Sequence, residues 1–492
     1  MTRVLVAAGV VVALAVALAV AGKPASALAQ APAGPPEQPD PAFFAAHRQA
    51  FMQAMEGGIA IFPAQPEISR NDDAGYPYRQ DSDFWYLTGL EEPEAVAVLR
   101  PEAAVGERFA LFVRPRDPAS EIWTGHRAGV EGARERYGAD LAYVIDSLDA
   151  VLPRWLAEVR TVYWDASKDH PWAQEGRRRR LEQWVEEDPA TARRLVGADE
   201  ILAGLRLIKS PQEVAYLQQA IDLTSAAHRA ALGAIRPGMY EYEVEALIEY
   251  VFRSRGSQRV GFNSIVGSGP NATTLHYEDN DRRMEADDLV VMDIGAEWNY
   301  YTADITRTVP VDGEFDAEER AIYQLVLDAQ RAAIDRIRPG ATVGAVHARA
   351  AEAITEGLVR LRLLRGTVAE NLEAGEYRRF FMHGTSHWLG LDVHDVGSYA
   401  EPLRPGMVLT VEPGIYIPDG AEGVDPKWWS IGVRIEDDVL VTDDGHRVLS
   451  TSPREIDEIE ALMVGAGPPD VVANETPRRH ISRSCSASSP SS

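Results

Sequence analysis

Five side chains able to bind a metal, Asp293, Asp304, His387, Glu412 and Glu436, stand inside apolar, strand-like runs in the second half of this chain. Taking an ionised carboxylate out of water costs on the order of several kcal/mol unless a cation or a hydrogen-bonding partner compensates it. Four carboxylates drawn into one interior therefore restrict the fold to one that gathers them, and a metal cluster meets the cost directly.

The chain has 492 residues, 45% of them hydrophobic, which is enough for two domains with separate cores. Its formal net charge of −26 argues against nucleic acid or an anionic membrane surface as a partner. The single cysteine, Cys485, lies in a Ser-rich tail, which leaves no intrachain disulfide, CxxC zinc site or thiol nucleophile in the folded part. Residues 1–29 read as a signal peptide: Arg3, an apolar run over 4–22, Lys23, then small residues with an Ala27-Leu28-Ala29 cleavage pattern ending near Gln30. Export to a periplasm or the medium is the expectation. An uncleaved anchor is the alternative, since the run is near the roughly 18-residue lower limit for a membrane span. No cysteine lies near the cleavage point, so a lipoprotein is excluded.

A Pro/Ala/Gln linker covers 30–42, and a smaller α/β domain is expected over 43–200. Its strand-like runs lie at 58–62, 95–99 and 109–113, and its helical stretches near 48–56 and 177–187. The second domain covers 201–463, and Ser210-Pro211-x-Glu213 marks a helix start there. Residues 464–492 carry no periodicity and read as a disordered tail. Within the second domain Ile235-Arg236-Pro237-Gly238 returns as Ile337-Arg338-Pro339-Gly340. The run ending Val291-Met292-Asp293-Ile294-Gly295 likewise aligns with the one ending Thr410-Val411-Glu412-Pro413-Gly414. Both repeats indicate an internal duplication in which each half carries an acid at the same point of an apolar strand.

The spacing sharpens the chemistry. A two-residue hairpin turn at Trp298-Asn299 would make Asp293 and Asp304 direct cross-strand neighbours, with Cβ atoms about 4.5–5.5 Å apart. Two carboxylates so close need a cation or a shared proton. Strand alternation places Arg434 with Glu436 on one face, and Val433, Ile435 and Asp437 on the other. Three of the 11 histidines, His383, His387 and His394, cluster between the two acid-bearing strands, and His276 precedes Asp293. His383-x3-His387 is not an H-E-x-x-H zinc helix, because Gly384 follows His383 and the context is Gly-rich. Gly384-Thr385-Ser386-His387-Trp388 lacks the last Gly of a serine-hydrolase elbow. Val266-Gly267-Ser268-Gly269-Pro270-Asn271 lacks a P-loop Lys and reads as a loop at the edge of the site. Four carboxylates and one imidazole are too oxygen-rich for a structural zinc. They suit two divalent ions about 3.5–4 Å apart and hydrolytic chemistry, with Mn²⁺ first and Co²⁺, Zn²⁺ or Fe²⁺ as competitors.

Over 201–463 the chain resembles the pita-bread metallopeptidases, and within them the Xaa-Pro aminopeptidases. The resemblance is carried by Thr274-Leu275-His276-Tyr277, Met292-Asp293-Ile294-Gly295, Thr302-Ala303-Asp304-Ile305-Thr306-Arg307-Thr308, the stretch from His383 to Asp395, Val411-Glu412-Pro413-Gly414 and Val433-Arg434-Ile435-Glu436-Asp437. Tyr76-Pro77-Tyr78-Arg79-Gln80-Asp81-Ser82-Asp83-Phe84-Trp85 is similar to that group's N-terminal domain. The resemblance implies an α+β fold: a pita-bread catalytic domain with a pseudo-two-fold repeat behind a smaller α/β domain. It implies Asp304 and Glu436 bridging two metals, Asp293 completing one, and His387 and Glu412 the other. Glu412 would take the proton of a metal-bridging water, and His276, His383 and His394 would surround the scissile bond. Arg434 and Tyr416 would lie on the proline side. Peptides with proline in second place are the implied substrates, and a homodimer or tetramer the implied assembly. Prolidase, cleaving only the dipeptide, is the alternative enzyme, and a peptide-binding protein that has lost catalysis is the alternative of another class. All five ligand positions are present here, whereas loss of ligands would mark the latter. Ile122-Trp123-Thr124-Gly125-His126-Arg127 departs from the group in having His126 where Arg is expected.

Overall fold

The computed structural model describes residues 37–164 and 194–464. The helical stretch expected at 177–187, the signal peptide at 1–29 and all but the first residue of the 464–492 tail lie outside the described residues.

The N-terminal part is built on a six-stranded sheet. Its strands run in the order Leu141–Val144, Phe109–Val113, Val96–Leu99, Ile59–Pro63, Thr161–Trp164 and Arg194–Gly197. The outer pairs are parallel, while the central strand Val96–Leu99 is antiparallel to both its neighbours. Helices cover both faces, so the inner strands read as unbroken apolar runs. Leu148, Leu152 and Leu156 of the helix Leu148–Ala157 pack on one face, with Ile61, Val98 and Phe112. Phe62, Leu99 and Leu111 point the other way and join Phe51 and Phe84 in the main core. The first helix, Pro41–Ala54, starts ahead of the stretch marked by its apolar pattern. Asp40 caps it by accepting from the Ala42 N–H, and Pro41 fits its first turn.

The second part shows the duplication as repeated elements. Helix Pro211–Leu232 opens with the expected capping box: Ser210 accepts from the Glu213 N–H while Glu213 accepts from the Ser210 N–H. A turn at Gly238 (φ 91°) leads to helix Glu241–Ser254, then to the antiparallel strands Ile265–Ser268, Leu289–Ile294 and Ile305–Pro310. The second half repeats this with helix Ala317–Ile334, a turn at Gly340 (φ 83°), helix Val343–Arg360 and the acid-bearing strand Val408–Val411. Both glycines take the left-handed conformation that only glycine adopts cheaply, so the repeated Arg-Pro-Gly is a repeated turn.

The hairpin register differs from expectation. Asn299 (φ 48°) and Tyr300 (φ 69°) form the turn, Trp298 pairs with Tyr301, and Asp293 stands opposite Thr306 rather than Asp304. Positive φ at both central residues is the type I′ geometry that matches strand twist, and it moves the turn one residue along from Trp298-Asn299. Pairing then shifts by two, and an even shift keeps each side chain on its face. Asp293 and Asp304 are consequently diagonal neighbours on the same face.

Candidate metal centre

Each half of the repeat brings two acids to one cavity. Asp293 comes from strand Leu289–Ile294, and Asp304 immediately precedes Ile305–Pro310. Glu412 immediately follows Val408–Val411, and Glu436 lies between Ile431–Arg434 and Asp437–Val441. The loop around His387 lies along strand Val408–Val411 like an extra rung. The His387 N–H donates to Thr410 Oγ1 (3.2 Å), the Thr410 N–H donates to His387 O (3.0 Å), and the Glu412 N–H donates to Thr385 O (2.8 Å). This is why His387 and Glu412 meet although 25 positions apart in sequence.

His387 Nδ1 lies 3.1 Å from the Trp388 carbonyl, which can only accept, so Nδ1 carries the proton and Nε2 keeps its lone pair. That Nε2 is 3.3 Å from Asp304 Oδ2 and 3.7 Å from Glu412 Oε1. Ligand atoms of Asp304, His387 and Glu436 lie within 4.8 Å of one another. Asp293 Oδ1, Asp304 Oδ1 and Glu436 Oε1 are buried with no hydrogen-bonding partner among the described residues. Buried carboxylate oxygens without a partner are what a divalent cation would satisfy, so these residues fit a metal site.

The electrostatics agree. Burial, then the Glu436 charge, pushes the Asp304 carboxyl well above the usual range, and the same two causes raise Glu412. Burial, then Asp293, raises Glu436 to about 8. Asp293 goes the other way: burial opposes its charge, but Arg434 Nη2 at 2.6 Å prevails and its pKa is lowered. Burial first, and then Arg434, lowers His383 to about 3, while burial and then His394 lower His387 to about 4.

His383 is fixed at both nitrogens. Nδ1 donates to Gly384 O (2.8 Å) and Nε2 accepts from the Tyr416 hydroxyl (2.9 Å), which in turn accepts from Arg434 Nη1 (3.1 Å). Arg434 thereby links the Asp293 carboxylate to the His383 ring. The cavity, about 420 Å³, is lined by all five acids and imidazoles together with His276, His383, His394 and Arg434. Tyr416 is fully buried behind His383 and Arg434 and is not among the lining residues. The segment read as a loop at the edge of the site, 266–271, does not line it either. Ser268 and Asn271 instead hydrogen-bond the buried Glu241 carboxylate, behind the sheet.

Three groups escaped the sequence reading. Thr306 Oγ1 donates to Glu436 Oε2 (2.6 Å) and accepts from Arg434 Nε (3.2 Å). Its place two residues after Asp304, hence on the same face, was the available signal. Asp438, in alternation with Glu436, accepts the Asp304 N–H. Phe262, Asn263 and Glu278 form one wall of the cavity from loops with no recognisable pattern.

With this geometry in place, residues 215–443 match the Metallopeptidase family M24 and residues 44–163 match the Aminopeptidase P, N-terminal domain. The chain is 41% identical over 432 residues to the Xaa-Pro aminopeptidase of Escherichia coli, covering 86% of this chain and 98% of that protein. The chain belongs to metallopeptidase family M24. Its fold is that of the family's aminopeptidase P members. The structure of Pseudomonas aeruginosa aminopeptidase PepP superposes with a TM-score of 0.84 at 44% identity, covering 87% of this chain and 99% of that one. E. coli aminopeptidase P with the inhibitor Pro-Leu superposes with a TM-score of 0.83 at 40% identity, covering 87% and 99%. The family sets the pita-bread catalytic domain behind a smaller N-terminal domain, as the resemblance implied.

Proposed function

We propose that this protein is an exported, dinuclear metal-dependent Xaa-Pro aminopeptidase, hydrolysing the first peptide bond of chains with proline in second place. One observation carries the reading: the convergence of Asp293, Asp304, His387, Glu412 and Glu436 on a single cavity, with three buried carboxylate oxygens left unpartnered among the described residues. Asp293, Asp304, His387, Glu412 and Glu436 would hold the two ions. Mn²⁺ is the proposed metal; a related E. coli structure is of a zinc-substituted aminopeptidase P in complex with product. Two divalent ions bound here would supply a water acidic enough to attack near neutral pH and a Lewis acid for the scissile carbonyl.

The chain's own groups do the rest. Glu412 accepts the proton of the attacking water and returns it to the departing proline nitrogen. His276 and His394 face the carbonyl oxygen as charge develops on it, while His383, whose two nitrogens are already engaged by the Gly384 carbonyl and the Tyr416 hydroxyl, holds the wall beside them. Arg434 and, through it, Tyr416 shape the proline side. An X-Pro bond has no amide hydrogen and its ring fixes the backbone, so a site that demands no amide donor accepts what general peptidases refuse.

The experiment is hydrolysis of Arg-Pro-Pro against Arg-Pro by metal-loaded protein. Release of arginine from the tripeptide is expected; cleavage of the dipeptide alone would make the enzyme a prolidase, and no cleavage of either would overturn the enzymatic reading. Export rests on residues 1–29 and is tested by cell fractionation, with activity expected outside the cytoplasm. A homo-oligomer is supported by Ile122 and Trp123, 82% and 86% exposed on helix Pro118–Thr124. Mass photometry should show a dimer or tetramer that Trp123→Ala weakens, and a wild-type monomer would contradict it.

A further inference from the structure

His394 is exposed at the cavity wall, yet the backbone on either side of it is among the most tightly held in the molecule. On one side the Leu391 carbonyl accepts from Arg79 Nη2 (2.7 Å), while Asp392 accepts from Ser82 Oγ (2.6 Å) and Arg206 Nη2 (2.7 Å). On the other, Asp395 accepts from Arg206 Nη2 (2.5 Å) and Lys209 Nζ (3.0 Å), and its own N–H donates to Trp388 O (2.9 Å). Arg206 completes its fork on Asp83 (2.7 Å), and the side chains of Arg206, Lys209 and Asp395 are each only 1% exposed. Arg79, Ser82 and Asp83 belong to the N-terminal domain; Arg206 and Lys209 lie where the chain enters the catalytic domain. None of these five lines the cavity.

A buried ion network of this size is a poor source of stability, because desolvation offsets most of the Coulomb gain. What it does supply is geometry, and it is spent on the one loop that places His394 beside His387, ring centroids 4.2 Å apart. We infer that Arg79, Ser82, Asp83, Arg206 and Lys209 are positioning residues for His394, so that the N-terminal domain is part of the catalytic apparatus. The inference rests on the proposed catalytic role of His394. It also explains the segment 76–85 in physical terms: that segment grips the catalytic loop.

The test is a double-mutant cycle on metal-loaded protein with Arg-Pro-Pro. Ser82→Ala removes the hydrogen bond to Asp392 and the one Ser82 accepts from Arg79 Nη1 (3.1 Å) without stranding a buried charge, and Arg79→Lys removes the donor to Leu391 while keeping the cation. Each should lower kcat by about five- to tenfold, the effect of small misplacement of a catalytic group, with KM and metal content unchanged. In a His394→Ala background either change should cost less than about twofold more, because the group being positioned is gone. Unchanged kcat in both single variants, or the same fold-loss with and without His394, would overturn the inference. Full activity of His394→Ala itself would overturn the underlying reading of the site.

Discussion

The chemistry at the residue scale depends on which groups hold their charge. Arg434 keeps Asp293 ionised, while Asp304, Glu412 and Glu436 are pushed up by burial and by neighbouring carboxylates. Tyr416 is the hinge of this arrangement: burial raises its hydroxyl to about 12, so it stays protonated and donates to His383 Nε2 while accepting from Arg434. Tyr416→Phe removes both bonds without touching a ligand. Steady-state kinetics should show kcat/KM for Arg-Pro-Pro down about tenfold, the worth of one or two neutral hydrogen bonds, with metal content unchanged by elemental analysis. Loss of metal would place Tyr416 in the ligand shell instead.

The hairpin that carries Asp293 and Asp304 shows, at the element scale, how far sequence reaches. Apolar runs ending in acids announced two strands sharing a face, and that relation holds. Asn299-Tyr300 contains no glycine and so does not mark the turn, and positive φ at Tyr300 is supported by its surroundings: Trp85 stacks on its ring at 4.4 Å and Glu91 accepts from its hydroxyl. Such tertiary support is invisible to local pattern. The same hairpin is interrupted at Gly295, where an added Cβ would come within 2.0 Å of the Ala303 carbonyl oxygen. Gly295→Ala should push Asp304 away from Asp293, destabilising the protein by about 2–4 kcal/mol and weakening metal binding together. Denaturant unfolding and metal titration check this, and a variant with wild-type metal affinity would show that the close approach is dispensable.

The two domains are joined, at the scale of the whole molecule, by charges far apart in sequence: Arg79 on Glu297, Arg259 on Glu91, and Arg206 on Asp83, Asp392 and Asp395. Each of these residues looks like an ordinary surface charge when read alone, which is why the junction between the domains is not legible in composition or motif. Burial opposes the Asp392 charge, but Arg206 and Arg79 hold its pKa well below 3.8. A carboxylate lowered on folding contributes stability in full above its unfolded value, and the contribution fades as pH falls below about 4. Asp392→Asn should therefore cost about 1 kcal/mol at pH 7, modest because the carboxylate is 39% exposed. The gap from wild type should narrow steadily as pH falls below about 4, and thermal unfolding across pH reads it. All of this positions one cavity, and what that cavity holds decides the chemistry. Protein stripped by chelator and titrated with Mn²⁺ should take up two ions per chain and regain Arg-Pro-Pro hydrolysis as the second binds, while Asp304→Ala should lose metal and activity together. Full activity in the stripped protein, or full metal occupancy in Asp304→Ala, would contradict it.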